Sequence, residues 1–176
     1  MRTELATFGG GCFWCIEAII QRLKGVQKVE SGYTGGNVPG RPTYREVCSG
    51  LTGHAEVVQV TFNPEVLSYH DLITIFMTSH DPTQLNRQGA DKGTQYRSVI
   101  YYHSAEQKKT IQQVFSKIEN FFPQAIVTEV SEAEVFYIAE TDHQDYYNNN
   151  STAGYCRVVI DPKIAKLRAM YADRMN

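Results

Sequence analysis

Apolar residues recur along the chain at two spacings, which predict the order of strands and helices. The segment from Glu4 to Phe8 is predicted as a short strand that ends in Gly9-Gly10-Gly11. From Cys12 onward the apolar positions follow helical spacing and predict a helix that stops near Gly25. These positions are Phe13, Ile16, Ile19, Ile20 and Leu23. The first predicted unit is therefore strand, glycine turn and helix, with Cys12 at or near the start of the helix.

Further strands and helices follow in alternation. The predicted strands are Val57–Phe62, Arg97–Tyr102 and Ile126–Val130. One predicted helix begins at the Ser68 cap, with Asp71 in the capping-box position, and ends near His80. A second helix runs from the Ser104 cap to before Pro123, and a third from Asp161-Pro162 through Met170. Glycine, proline and polar residues predict loops over 32–42 and 82–94 and irregular structure over 142–150. The expected fold is α+β: a single domain spanning residues 1–176, with a mixed sheet and flanking helices in a two-layer sandwich and an irregular C-terminal segment.

Length and charge narrow the class of protein. A chain of 176 residues fits one domain whose core is large enough to be stable without disulfides or bound metal. The net charge of −2 gives no reason to expect nucleic acid or an anionic membrane as a partner. No apolar run reaches the roughly 18 residues of a membrane span, and the N-terminus lacks the apolar stretch of a secretory signal. The sequence therefore predicts a cytoplasmic location.

The four cysteines, Cys12, Cys15, Cys48 and Cys156, are few for a disulfide-built secreted domain. In a reducing compartment they are expected as thiols, and any disulfide is expected to be transient and catalytic. At a helix start, unpaired N–H groups and the helix dipole favour a thiolate, so the pKa of Cys12 is predicted to be lowered. Phe13 and Trp14 would offer an apolar wall beside the sulfur. The plainer reading is that Cys12 packs as a small apolar residue.

Two other kinds of site use the same residues. Cys12 could be an acyl-transfer nucleophile activated by one of five histidines, although no histidine lies near it in sequence. Cys12, Cys15, Cys48 and His54 could instead bind zinc, although a second closely spaced ligand pair is missing. Trapping of an acyl-enzyme would support the first, and metal analysis of the purified protein would support the second.

The segment Gly11-Cys12-Phe13-Trp14 resembles the active-site signature of the A-type peptide methionine sulfoxide reductases. Further segments agree with that family in order along the chain: Ser31-Gly32-Tyr33-Thr34-Gly35-Gly36, Pro42-Thr43-Tyr44, Glu46-Val47-Cys48-Ser49-Gly50, Thr52-Gly53-His54-Ala55-Glu56, His80-Asp81-Pro82-Thr83-Gln84 and Gly93-Thr94-Gln95-Tyr96-Arg97-Ser98. His143-Gln144 and Gly154-Tyr155-Cys156 extend the match weakly toward the C-terminus. Because the segments keep their order, the resemblance is specific.

The resemblance implies a reaction and three residues that contact the substrate. The family reduces the S epimer of methionine sulfoxide to methionine, and such repair reverses a common oxidative lesion of proteins. By motif, Cys12 attacks the sulfoxide sulfur and becomes a sulfenic acid as methionine leaves. Phe13 and Trp14 match the pocket for the methionine ε-methyl group. The implied substrate is methionine sulfoxide, either free or within oxidised proteins.

The resemblance also implies how the sulfoxide oxygen is held. Glu56 matches the acid that protonates this oxygen, Tyr44 and Tyr96 match hydroxyls that hydrogen-bond it, and Asp91 matches a carboxylate that orders the site. The chemistry needs such groups, because a buried carboxyl with a raised pKa can supply a proton and hydroxyls can stabilise developing charge. Without the resemblance, each of the four would be read as an ordinary strand, core, surface or turn residue.

Turnover requires a second thiol that condenses with the sulfenic acid, so that an external dithiol can reset the disulfide. Cys156 matches the family's resolving position and follows a stretch of flexible composition, 148–154. Cys15 replaces the family's usual glycine and is the alternative, disfavoured because two thiols inside one helical turn are expected to diverge. Cys48 is expected to be a spectator. The resemblance further implies thioredoxin as reductant, a monomer, and neither cofactor nor metal.

Overall fold

The computed structural model describes residues 2–176 and is built on a six-stranded mixed sheet. The strands are β1 (Glu4–Gly9), β2 (Val26–Thr34), β3 (Ala55–Phe62), β4 (Arg87–Gln88), β5 (Asp91–Lys92), β6 (Val99–Tyr102), β7 (Glu129–Glu132) and β8 (Tyr137–Ile138). The sheet has the order β7-β6-β1-β3-β2-β8, and β4 and β5 form a separate hairpin. Only β6 and β7 pair in parallel within the described sheet, so most neighbours run antiparallel.

The helices are α1 (Phe13–Ile20), α2 (Tyr44–Cys48), α3 (Tyr69–Thr78), α4 (Ala105–Ile118), α5 (Tyr146–Asn149) and α6 (Asp161–Tyr171), which follows a π-helical turn at Cys156–Ile160. One face of the sheet packs its apolar side chains, such as Phe8 and Val60, against α1, α3, α4 and α6. The other face carries a smaller cluster covered by Ala133 and Phe136. The predicted α+β sandwich of a mixed sheet with flanking helices is therefore confirmed. Within residues 2–176 no helix is both long and apolar enough to cross a membrane.

Local signals at the helix starts were read correctly. The Ser68 hydroxyl accepts a hydrogen bond from the Asp71 N–H at 3.1 Å, and the Ser104 hydroxyl accepts one from the Gln107 N–H at 3.1 Å. Both caps satisfy N–H groups that a helix cannot pair within itself. The α4 helix ends at Ile118, before Pro123, as predicted.

The sequence predicts less accurately the elements that depend on contacts between distant residues. Residues Gly32 to Thr34 were predicted as exposed loop but belong to β2 and are buried, because β2 pairs with β3 on one side and with β8 on the other. The short helix α2 was also missed, although Thr43 and Glu46 form a capping box at its start. The strand predicted at Ile126–Val130 is displaced to Glu129–Glu132.

Candidate active site

Cys12 lies in the turn between β1 and α1 and occupies the N-cap of the helix. Its backbone is extended, with φ −66° and ψ 131°, and the first helical residue is Phe13. The preceding turn is tight: Gly11 has φ +92°, and its N–H donates to the Tyr96 carbonyl at 3.1 Å. A Cβ on Gly9 would lie only 2.2 Å from the carbonyl oxygen of Glu56. The glycines therefore bring the turn directly against the strand that carries Glu56.

The thiols of Cys12 and Cys15 form a buried pair. The predicted lowering of the Cys12 pKa is wrong: burial raises this pKa well above its ordinary value, and the interactions with Cys15 and Glu56 add to it. A hydrogen bond from Cys12 lowers the pKa of Cys15 to about 6, against the opposing effect of burial and with help from Lys163 and the Tyr155 hydroxyl. The pair therefore favours one thiolate, with the negative charge on Cys15 in the resting protein.

Glu56 is a buried carboxyl group with one oxygen unpaired. Only 1% of the residue is exposed, and its Oε1 accepts a hydrogen bond from the Phe13 N–H at 3.1 Å. Oε2 is buried and has no hydrogen-bond partner. Burial raises the pKa of Glu56 to about 8, and the charges of Asp91 and Cys15 act in the same direction. The side chain is therefore largely protonated at neutral pH and holds a proton beside the N-terminus of α1.

Tyr44 and Tyr96 come from two different elements, and Glu56 and Cys48 influence the hydroxyls of both. Tyr44 is the first residue of α2, and Tyr96 ends a short 3₁₀ turn. Burial raises the pKa of both hydroxyls, and the neighbouring Glu56 raises them further, so both are proton donors. Cys48, expected to be a spectator, is half-buried and hydrogen-bonds both tyrosines.

Aromatic rings surround the pair of thiols. Phe13 is fully buried and packs against Tyr33, with ring centroids 5.6 Å apart. Trp14 is partly exposed and stacks on Tyr146 with centroids 3.7 Å apart. Its indole N–H donates to His143 Nδ1 at 3.1 Å. Phe13 and Trp14 therefore belong to one aromatic cluster at the start of α1, which His143 and Tyr146 join.

The C-terminal residues that hold this aromatic cluster in place were missed from the sequence. The Gln144 side chain acts like a peptide group toward β2: its oxygen accepts from the Ser31 N–H at 2.9 Å, and its nitrogen donates to the Ser31 carbonyl at 2.8 Å. The Glu140 carboxylate accepts from the Tyr33 hydroxyl and from the Tyr44 N–H, each at 2.9 Å. The weak match at His143-Gln144 was the one signal in the sequence that pointed to this segment.

Asp91 lies beside the thiol pair, linked to it through Tyr155. The Tyr155 hydroxyl donates to Asp91 Oδ2 at 3.4 Å and lies 3.5 Å from Cys15 Sγ. The negative charge of Asp91 also raises the pKa of Glu56. In the sequence, Tyr155 belongs only to the weak C-terminal match, which implies no role for it.

Cys156, which the resemblance favours as the resolving thiol, is buried in this structure. The residue is 0% exposed, belongs to the apolar core and begins the π-helical turn. In the segment before it, residues 146–149 form α5, and the Ala153 N–H donates to the Asn150 carbonyl at 2.9 Å. Among residues 2–176, no group of three His, Cys, Asp or Glu side chains is placed to hold a metal ion. The His54 ring instead accepts a hydrogen bond from the Gly36 N–H at 2.9 Å.

Comparisons with known proteins agree along nearly the whole chain. A family model described as "Peptide methionine sulfoxide reductase" matches residues 4–175. A curated relative from Deinococcus radiodurans, "Peptide methionine sulfoxide reductase MsrA", is 55% identical over 98% of this chain and 84% of its own length. A relative of the same name from Saccharolobus solfataricus is 50% identical over 98% of this chain and 97% of its own.

Solved structures show the same fold. Mxr1 from Saccharomyces cerevisiae in its reduced form superposes with a TM-score of 0.80 at 34% identity, over 88% of this chain and 90% of that one. A second structure of Mxr1, in complex with Trx2, superposes with a TM-score of 0.57 at 23% identity, over 82% of this chain and 85% of that one.

Proposed function

The chain belongs to the peptide methionine sulfoxide reductase family and is an oxidoreductase that reduces methionine sulfoxide; we propose that it acts on the S epimer, with Cys12 as nucleophile and Glu56 as the acid. The observation that carries this assignment is the buried Oε2 of Glu56, which has no partner although the carboxyl group is largely protonated at neutral pH. A proton held without a partner beside a thiol is what sulfoxide reduction requires, because protonated oxygen makes the sulfur electrophilic.

Protons can be accounted for with the groups present. The Cys15 thiolate takes the proton of Cys12 across their hydrogen bond, which makes Cys12 the attacking thiolate. Glu56 donates its proton to the sulfoxide oxygen as the Cys12 sulfur attacks the sulfoxide sulfur. In total, one thiol and one sulfoxide yield one sulfenic acid and one thioether. The Cys12 sulfur is oxidised by two electrons, and the substrate sulfur is reduced by two.

The remaining side chains bind and orient the substrate. Tyr44 and Tyr96, kept protonated by burial, donate to the oxygen as it gains negative charge, in the manner of an oxyanion hole. Phe13 and Trp14 receive the ε-methyl group of methionine, which is small enough to lie against two rings. Asp91 accepts a hydrogen bond from the Tyr155 hydroxyl and so positions this hydroxyl near Cys15.

The oxidised enzyme forms an intramolecular disulfide, which thioredoxin reduces. Support comes from the buried Cys12–Cys15 pair and from the similarity to Mxr1, a protein solved in complex with Trx2. The same chemistry serves free methionine sulfoxide and oxidised proteins, because it needs only the sulfoxide and its methyl group. The monomeric state, the cytoplasmic location and a single domain over residues 1–176 stay predictions.

Cys12→Ser tests the nucleophile directly. Wild type and variant are incubated with each methionine sulfoxide epimer and dithiothreitol, and methionine is quantified. We expect wild type to consume the S epimer alone and the variant to form no methionine above background, because serine is far less nucleophilic than a thiolate. Unchanged circular dichroism and thermal midpoint provide the control for folding. Methionine formation by the variant at a measurable fraction of the wild-type rate would remove Cys12 from the mechanism.

A further inference from the structure

We propose that Cys15 is the resolving thiol of this enzyme and closes a disulfide with Cys12 across the first turn of α1. The inference rests on the proposed function, because it needs the sulfenic acid that sulfoxide reduction leaves on Cys12. It departs from the expectation drawn from the sequence, which favoured Cys156 on the grounds that two thiols within one helical turn diverge.

The divergence argument applies to two residues that both have helical backbones. Cys12 is outside the helix, with an extended ψ of 131°, while Cys15 is its third residue. Residues three apart on a helical turn have Cβ atoms roughly 5–6 Å apart, and a disulfide requires roughly 3.5–4.5 Å. A rotation at the extended Cys12 can close this gap without breaking the hydrogen bond from the Cys15 N–H to the Cys12 carbonyl. The ionisation of each thiol shifts the pKa of the other, as expected for two side chains one helical turn apart.

Cys15 is also held in a position suited to nucleophilic attack. The hydroxyl of Tyr155 lies 3.5 Å from its sulfur and is itself bound to Asp91. After methionine leaves, Cys15 Sγ attacks Cys12 Sγ, an S–S bond forms, and the sulfenic oxygen departs with two protons as water. A thioredoxin-type dithiol then reduces this disulfide to two thiols and is itself oxidised to a disulfide.

Cys156 would have to leave the core to do the same. Its side chain is 0% exposed and is packed among the apolar residues that include Ile160. The residue also begins the π-helical turn that leads into α6. Attack on Cys12 would therefore require this turn to open, whereas attack by Cys15 requires only a local rotation.

One equivalent of methionine-S-sulfoxide without reductant tests the inference in the full-length protein. The protein is then denatured in the presence of N-ethylmaleimide so that buried free thiols are also blocked, methionine is quantified, and non-reduced peptides are mapped by mass spectrometry. We expect one methionine per protein, a Cys12–Cys15 linkage, and blocked Cys48 and Cys156. Any linkage that joins Cys156 to Cys12 or Cys15 would overturn the proposal. Absence of methionine would instead count against the proposed function.

A matched pair of variants provides a second readout. Cys15→Ala should still release one methionine, more slowly because it lacks the thiolate that takes the Cys12 proton, and should leave a dimedone-reactive sulfenic acid on Cys12, but should lose turnover with thioredoxin. Cys156→Ala, which keeps an apolar group in the core, should turn over with thioredoxin at close to the wild-type rate. Loss of thioredoxin turnover in Cys156→Ala, with its first methionine still released, would overturn the proposal even if the wild-type map were ambiguous.

Discussion

Two buried glutamates are associated with α1, Glu17 as a residue of the helix and Glu56 as the partner of the Phe13 N–H, and their surroundings differ in one respect. Glu56 is 1% exposed and Glu17 is 2% exposed, and burial raises their pKa values to about 8 and about 7. Glu17 Oε1 accepts a hydrogen bond from the Tyr146 N–H at 3.2 Å, which fastens the ring stacked on Trp14. Glu56 keeps one oxygen without a partner.

The difference shows that a raised pKa does not by itself identify a catalytic acid. Desolvation affects both carboxyl groups in the same direction, and structural networks perturb pKa values as active sites do. The two carboxyl groups differ in their second oxygen, which has no hydrogen-bond partner in Glu56. Glu56 binds the N–H of the residue after Cys12, the proposed nucleophile, and keeps an oxygen without a partner, whereas Glu17 contacts main chain and positions a neighbouring segment.

The largest expected difference between them is in the chemical step. Glu56→Gln keeps an acceptor for the Phe13 N–H but has no acidic proton, so the single-turnover rate should fall by ~10²–10⁴. Substrate affinity should change little, because proton donation stabilises only the transition state. Rapid-quench measurement of methionine at several concentrations of the S epimer separates the two effects. Glu17→Gln, the matched control, should stay within a few-fold of wild type.

Equal losses in both variants would show that the comparison is wrong and that the carboxyl groups act together. A wild-type rate in Glu56→Gln would assign the proton to another donor, with Tyr44 and Tyr96 as the nearest candidates.

The second largest difference between the Glu56 and Glu17 variants should be in the pH dependence of the same step. The rate should rise as the thiol pair loses its first proton, because the interaction with Cys12 lowers the pKa of Cys15 to about 6 against the opposing effect of burial. It should fall as Glu56 ionises, with its pKa raised to about 8, giving a bell-shaped profile. Glu17→Gln should keep both limbs. The falling limb should be absent in the residual activity of Glu56→Gln, and its persistence there would assign that limb to a different group.

Stability should respond to both glutamates, by a smaller amount. A carboxyl group whose pKa is raised on folding binds its proton more tightly in the native state, so stability falls as pH rises from about 4.5 through the raised value. For Glu17 this window ends near pH 7, where burial places its pKa. Urea unfolding midpoints at pH 5 and pH 8 should differ less in Glu17→Gln than in wild type. An unchanged difference would mean that Glu17 titrates alike in both states.

The smallest effect is expected at Tyr155. Tyr155→Phe keeps the ring but removes the hydroxyl that contacts Cys15 and Asp91. Loss of one such hydrogen bond is worth about 1 kcal/mol, so disulfide formation should slow by about five-fold. Release of the first methionine should not change. Stopped-flow loss of dimedone-reactive sulfenic acid measures the first rate, and slowing of both rates would place Tyr155 in the sulfoxide step instead.

Glu56 and Glu17 also show what could be predicted from the sequence. The resemblance points to Glu56 because it lies in a continuous motif, and the sequence predicts Cys12 at a helix start because a strand, a glycine turn and a helix follow one another without interruption. Such features depend on neighbours in sequence, as do the caps at Ser68 and Ser104. Glu17 was not found, because its partner lies 129 residues away and nothing around it in sequence indicates burial.

The same reason explains the other errors. Gly32 to Thr34 resembled a loop by composition, and only pairing with β3 and β8 makes it a strand. The pKa of Cys12 was predicted from the helix start alone, but burial and contact with Cys15 and Glu56 dominate it. A single sequence also cannot show that Cys156 is packed in the core. Burial is a property of the whole fold, so predictions that depended on it were the ones that needed the structure.

Trp14 gives the active site an optical signal of its own. It is the one tryptophan in the sequence, and it stacks on Tyr146 and donates its indole N–H to His143. Its fluorescence therefore reports a single location, within two residues of the nucleophile. Substrate binding and closure of the proposed disulfide in α1 each change the surroundings of that ring. The progress of a turnover can be followed by emission without a label, in the unmodified protein.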